Sequence, residues 1–219
     1  MVEENRLILN HKNEHLIVRK AESSDIDELI EISRQGFPEA VRWQIPRFLS
    51  RKRWAEILES EIAETWICSL NGRIAGYVIL LKDNTVSIVK KYHYDRYVLR
   101  KCYYHLLCPR LIFKKLVKKI HSYKKKNVTV SPAESQKEEL NNCTWIDSIA
   151  VSPEMRGKGV ARKLLQICRQ RTLELKKEGI KLSVETENVA ARNLYRNFGF
   201  YCTCSGPDAD VYAIQVTDE

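Results

Sequence analysis

Two hydrophobic periods alternate along the chain. Leu16-Ile-Val-Arg-Lys20 is a short apolar-rich run and reads as a strand. Ile26, Leu29 and Ile30 then fall at i, i+3 and i+4, the spacing of one helical face. Ser24 reads as the N-cap of that helix, with Asp25, Asp27 and Glu28 in the first turn, where the helix dipole favours acids. Gly36 and Pro38 predict its end. A second helical pattern runs over 47–63 through Phe48, Trp54, Ile57, Leu58 and Ile62. The runs TWICSL and RIAGYVILL are strand-like and are separated by Asn71-Gly72. That dipeptide suits a type I′ turn, because both residues tolerate positive φ.

The pattern resumes at 143–151 (CTWIDSIAV), a strand ended by Pro153. Residues 157–177 predict an amphipathic helix, with Ala161, Leu164, Leu165, Cys168, Thr172 and Leu175 on one face and Gly179 as its C′ residue. Ile180–Glu185 predicts a strand. Residues 189–198 predict a short helix with Ala191, Leu194, Tyr195 and Phe198 on one face and Gly199 as its stop. Phe200–Cys204 and Val211–Val216 close the chain as strands. Strands and helices in this order predict an α/β architecture with mixed strand pairing.

Residues 82–142 break the rhythm and read as an insertion between two strands. The part through Asn127 is rich in Tyr and Lys with helical periodicity, and the part after it is a polar loop. Charge sharpens this division. The chain of 219 residues carries a net charge of +9, yet residues 82–128 hold 14 Lys/Arg against 2 Asp/Glu. The remainder is mildly acidic, which argues against a surface built as a whole for nucleic acid. Within 92–122, Leu111, Ile112, Leu116 and Ile120 alternate with Lys114, Lys115, Lys118 and Lys119, below several tyrosines. This segment reads as a packed lid, a homodimer element, a peripheral contact with an anionic membrane, or an RNA-binding stretch. Its charge favours an acidic partner.

The length predicts one domain, 1–219, with the insertion inside it. The apolar share of 44% and charged share of 30% suit a globular chain. No run of about 18 apolar residues and no signal-like N-terminal segment is present, so a cytoplasmic protein, peripheral at a membrane if the basic segment binds one, is the expectation. The seven cysteines show no paired metal-ligand spacing and read as reduced core thiols. The five histidines show none either, so no metal is expected.

Candidate chemistry concentrates in Arg156-Gly157-Lys158-Gly159-Val160-Ala161, which follows a strand and opens a helix. Two glycines allow close backbone approach, and the first N–H groups of a helix have no internal partner. Such a loop either cradles phosphate, assisted by Arg156, Lys158 and Arg162, or is a tight turn with solvated basic residues. It is neither a GxGxxG nor a Walker A sequence.

The stretch IDSIAVSPEMRGKGVARKLL, followed by NVAARNLYRNFGF, resembles the GCN5-related N-acetyltransferase (GNAT) superfamily. Arg156, Gly159 and Ala161 match its acetyl-CoA motif. Asn188, Ala191, Tyr195, Gly199 and Phe200 match its downstream helix motif. The opening LIVRKAESSDIDELIEIS is similar to its first strand and helix. The resemblance implies a twisted mixed sheet flanked by helices, with the strand 144–151 splayed from the next and the insertion preceding it. It implies acetyl-CoA as co-substrate, with the pyrophosphate on 156–161 and the pantetheine arm on backbone groups of Ile149, Ala150 and Val151. Asn188 would contact the cofactor, cap its own helix, or both.

The implied activity is N-acetylation of a primary amine on a small-molecule acceptor, with Tyr195 as the acid for the departing thiolate. The family's strand glutamate has no counterpart here. Asp147, Glu185 and a water chain stand as alternatives for the base. Other readings are an acyl-CoA-binding module that catalyses nothing and a longer-chain acyl-CoA transferase at a membrane surface.

Overall fold

The computed structural model describes residues 6–11, 14–38, 46–83 and 140–217. Eight strands form one sheet: β1 (Arg6–His11), β2 (Glu14–Lys20), β3 (Ala63–Leu70), β4 (Arg73–Leu81), β5 (Cys143–Val151), β6 (Gly179–Glu185), β7 (Tyr201–Ser205) and β8 (Ala209–Gln215), in the order β1-β2-β3-β4-β5-β6-β8-β7. Every neighbouring pair is antiparallel except β5 and β6, which are parallel. The mixed sheet agrees with the α/β reading. The strand β1 was not foreseen. Its RLILNH run pairs with β2 in a tight hairpin and adds an outer strand.

Among the described residues four helices cover the two faces: α1 (Ile26–Gly36), α2 (Arg47–Leu58), α3 (Val160–Glu174) and α4 (Val189–Phe198). Leu29, Ile30 and Ile32 of α1 pack with Trp54 and Ile57 of α2 on one face, against Ile67, Tyr77 and Ile79. On the opposite face Val160, Leu164 and Leu165 of α3 share a core with Tyr195 of α4 and with Val78, Leu80 and Ile146. This is why the helical stripes read from the sequence are apolar on one side only.

Three sequence-based expectations are corrected. Ser24 is not an N-cap: Ser23–Asp25 form a 3₁₀ turn before α1, and the Asp25 carboxylate accepts from Glu22 N at 2.7 Å. Gly179 is not a C′ residue but the first residue of β6. A Cβ there would lie 2.5 Å from the Ile214 carbonyl oxygen, so close strand approach is what requires glycine. The left-handed residue after α3 is Lys176, at φ 53°. Of the cysteines, Cys68, Cys143 and Cys168 are buried thiols as expected, but Cys204 is exposed on the outer strand β7. The Asn71-Gly72 turn is as read, with φ of 51° and 81°.

The helical, membrane, lid and dimer readings of the insertion fall on residues 84–139, outside the described residues. Its two stems are described. Lys177 Nζ lies 2.8 Å from Asn142 Oδ1 and 3.9 Å from Asp83 Oδ2. They therefore meet beside the start of β5, about 26 Å along that strand from the loop at 156–161.

One buried carboxylate ties α3 to the sheet. Glu64 of β3 takes a two-pronged contact from Arg171, at 2.8 Å on both oxygens, and a third donor from Trp66 Nε1 at 3.2 Å. Burial works to raise the Glu64 carboxyl, but the Arg171 hydrogen bonds and charge, with Lys20 and Trp66, outweigh it and hold it below the usual range. A depressed carboxylate stabilises the fold above its unfolded pKa and loses that contribution as pH falls through the folded value. Glu64→Gln is expected to cost about 2–3 kcal/mol at pH 7 by removing the buried charge opposite Arg171, whose guanidinium then pairs with Glu174 alone. Denaturant melts from pH 7 down to pH 3 should show the wild type losing more stability than the variant.

Candidate active site

The site is built from an incomplete strand pair. β5 and β6 are in register only from Cys143↔Gly179 to Ile146↔Leu182. Beyond that point β5 continues to pair with β4 as far as Val151, and β6 with β8 as far as Glu185. The two strands diverge, and a V-shaped gap opens between Asp147–Val151 and Ser183–Glu185. A register shift marks the start of the divergence. Ile79 faces Ser148 while Leu80 faces Ile146, so Asp147 is an extra residue bulged out of β5. A bulge bends its strand and increases the local twist. The backbone of Ile149, Ala150 and Val151 lies along one wall of the gap.

The gap ends at the loop after β5. Gly157 and Gly159 have φ of 78° and 80°, and a Cβ on either would meet nothing within 4 Å. Glycine is needed here for conformation rather than for space. Gly159 is the residue preceding α3, and no side chain caps that helix. The amides of Val160, Ala161 and Arg162 are thus left to an outside acceptor, at the positive end of the dipole. Arg156, Lys158 and Arg162 are exposed around them. Two glycines in left-handed backbone, an uncapped helix start and three exposed cations fit a diphosphate ester, and the adjoining gap fits an extended thiol arm with amide groups.

The opposite wall carries α4. Asn188 caps it: its Oδ1 accepts from Ala191 N at 3.1 Å. Tyr195 points inward and is 5% exposed. Its ring packs edge-on against Phe200 at 5.7 Å and tilted against Tyr212 at 6.4 Å. Burial, with the nearby Cys168 thiol, pushes the Tyr195 phenol well above its ordinary value. The hydroxyl therefore stays protonated.

The two candidate bases flank the gap on different strands. Asp147 is half-buried at the bulge, one residue beyond the last β5–β6 pair. Glu185 is exposed at the end of β6, where its carbonyl accepts from Asn188 N. The bulge also breaks the strict alternation of faces along β5. Trp145 and Ala150 pack toward α1 and α2. Ser148 joins them through a buried hydroxyl chain, Ser148 Oγ to Tyr77 Oη at 3.3 Å and Ser33 Oγ to Tyr77 Oη at 3.0 Å. Sequence reasoning did not single out Ser33, Tyr77 or Ser148, because their meeting depends on the register of β4 against β5. Among the described residues no group of histidines, cysteines and carboxylates could hold a metal ion.

A cleft of about 470 Å³ lies on the α1 face beside the loop. Asp27, Glu28, Glu31, Glu154, Arg47 and Arg73 line it. Arg47 pairs with both Asp27 and Glu31, and Arg51 also contacts Asp27.

Comparison with known proteins fits this geometry. Residues 128–200 match the model of the acetyltransferase (GNAT) family. Streptothricin acetyltransferase of Escherichia coli is 41% identical over 88 residues, which are 37% of this chain and 49% of that protein. The chain thus spans about half the length of the curated relative it matches. An N-acetyltransferase from Staphylococcus aureus Mu50 superposes with a TM-score of 0.58 at 13% identity, covering 92% of this chain and 99% of that one. A Salmonella typhimurium protein, yncA, solved with its cofactor acetyl-CoA, gives 0.55 at 15% identity over 93% and 95%. The ribosomal-protein-S18-alanine N-acetyltransferase of E. coli gives 0.54 at 14% identity over 93% and 96%. At these identities the superpositions speak to the fold. The split parallel pair, the glycine loop at the start of α3 and the segment 128–200 that matches the acetyltransferase (GNAT) family model all lie in one chain, which shares its fold with these acetyltransferases.

Proposed function

We propose that the protein is an N-acetyltransferase that moves an acetyl group from acetyl-CoA to a primary amine by direct attack. The observation that carries this reading is the V-shaped gap between β5 and β6, which ends on an uncapped helix start ringed by Arg156, Lys158 and Arg162. Acetyl-CoA supplies an activated acyl thioester when bound. The amides of Gly157, Gly159, Val160 and Ala161 would receive its diphosphate, with Asn188 beside them on the far wall. The backbone of Ile149, Ala150 and Val151 would align the pantetheine arm and offer a donor to the thioester oxygen, where negative charge develops. Tyr195 would give its proton to the departing sulfur. Burial suits it to that role, because a phenol kept neutral has a proton to give.

The amine must lose a proton. Asp147 and Glu185 are the carboxylates nearest the split, with water as the third route. The acceptor receives two opposite charge signals. The basic segment at 82–128 favours an acidic amine, whereas the carboxylates around the α1 cleft and the streptothricin acetyltransferase relative favour a cationic one. A panel holding both classes, streptothricin included, separates them.

A second reading is an acyl-CoA-binding module without catalysis. It is favoured by the absence of a glutamate on β5. Tight acetyl-CoA binding with no acylated product across the panel would select it.

Tyr195→Phe is expected to lower kcat by about 10²- to 10⁴-fold while leaving acetyl-CoA affinity within about twofold. Thiol release and calorimetry check the two halves, and an unchanged kcat removes Tyr195 as the acid. Because its pKa is raised, loss of the Tyr195 proton should not cut kcat until above pH ~10, the ordinary tyrosine value. An alkaline limb in kcat near pH 8 that is absent in Tyr195→Phe would contradict this. Gly159→Ala is expected to weaken acetyl-CoA binding about tenfold, since an alanine held at φ 80° costs roughly 1–2 kcal/mol. Unaltered binding would place the diphosphate elsewhere.

A further inference from the structure

A second residue of α4, one turn before Tyr195, fixes how that helix sits on the sheet. Arg192 reaches the β6–β8 wall with three donors. Its Nη2 lies 3.1 Å from Asp210 Oδ2, its Nη1 donates to Thr186 O at 3.1 Å, and its Nε donates to Tyr212 Oη at 3.4 Å. The Asp210 side chain is 4% exposed, and Arg192 is the cation paired with it among the described residues. Tyr212 is fully buried. Its hydroxyl is held by Arg192, its ring face lies 6.0 Å below the Arg196 guanidinium, and its ring stands against that of Tyr195.

We propose that Arg192, clamped by Asp210, is the positioning residue that aims the Tyr195 phenol into the gap, acting through α4 and the Tyr212 ring. Two paths lead from Arg192 to Tyr195. One runs along the helix backbone, three residues on. The other passes through the Tyr212 hydroxyl to a ring in contact with Tyr195. Asp210 lies opposite Val184 and Tyr212 opposite Leu182 on β6, so both stand on β8, directly behind the strand that borders the gap. The clamp therefore refers Tyr195 to the wall of the gap rather than to solvent. A guanidinium suits this task because its donors are fixed in one plane and serve three acceptors at once. A lysine keeps the charge opposite Asp210 but is a single point donor.

The inference rests on the reading of Tyr195 as the acid, and its test separates the two. Arg192→Lys retains the charge, and Tyr212→Phe removes one oxygen from an otherwise unchanged ring, so the second variant guards against misfolding of the first. Each is made in the wild type and in Tyr195→Phe. Each is expected to lower kcat on the order of 10- to 100-fold, with the KM for acetyl-CoA within about twofold. Neither should lower it further once Tyr195 is phenylalanine. With tyrosines labelled at the ring carbon bearing oxygen, the Tyr195 resonance, identified by its loss in Tyr195→Phe, should shift or broaden in both variants. An unchanged resonance in both, or an equal loss of kcat in the Tyr195→Phe background, overturns the proposal. If the wild type acetylates no amine, the acetyltransferase reading fails by itself, and the resonance alone decides whether Arg192 sets the phenol.

Discussion

Everything functional here follows from one interrupted hydrogen-bond ladder. Parallel β5 and β6 pair for four residues and then part. Backbone amides and carbonyls that lose a strand partner must find another acceptor or donor. An extended ligand with its own amide groups can take the place of the missing strand. The cause of the parting is local and modest, one extra residue, Asp147, in β5. What prevents the sheet from closing again is the packing on both faces. α3 and α4 fill one face, and α1 packs so tightly on the other that a Cβ on Gly36 would approach the Ala150 Cβ to 2.8 Å.

The two ends of the gap divide the work by charge. The outer end presents uncapped amides and exposed cations, which suits phosphate. The inner end is buried and aromatic. Tyr195 lies among Phe200, Tyr212, Leu164 and Cys168, where burial disfavours the phenolate. A proton donor there and cations at the rim would orient a long anionic thioester in one direction. Arg192 and Asp210 extend this arrangement into the β6–β8 wall, while Glu64 and Arg171 hold the far end of α3 against β3. A buried ion pair thus anchors each helix that borders the site.

Most of the fold was legible from periodicity, and for a clear reason. Strands such as Arg73–Leu81 and Cys143–Val151, and the helix Val189–Phe198, have apolar patterns that only one period fits. The glycine loop at 156–161 was legible because its glycines and cations are contiguous in sequence. The hydroxyl chain Ser33–Tyr77–Ser148 and the Arg192–Asp210 clamp were not. Each joins residues far apart in the chain, and their contact depends on strand register. The bulge at Asp147 was not legible for the same reason: strict alternation cannot reveal an extra residue. β1 was missed because its short RLILNH run sits in a polar setting, where pairing with β2 decides the outcome.

The central claim is that the parted strands and the start of α3 together hold an acyl-CoA. Backbone amide spectra of the protein titrated with acetyl-CoA test it most directly. The account predicts the largest shifts at Gly157, Gly159, Val160 and Ala161, together with Ile149, Ala150 and Val151, and small shifts along β1 and β2. Saturable binding whose shifts avoid both the loop and the upper half of β5 would contradict it.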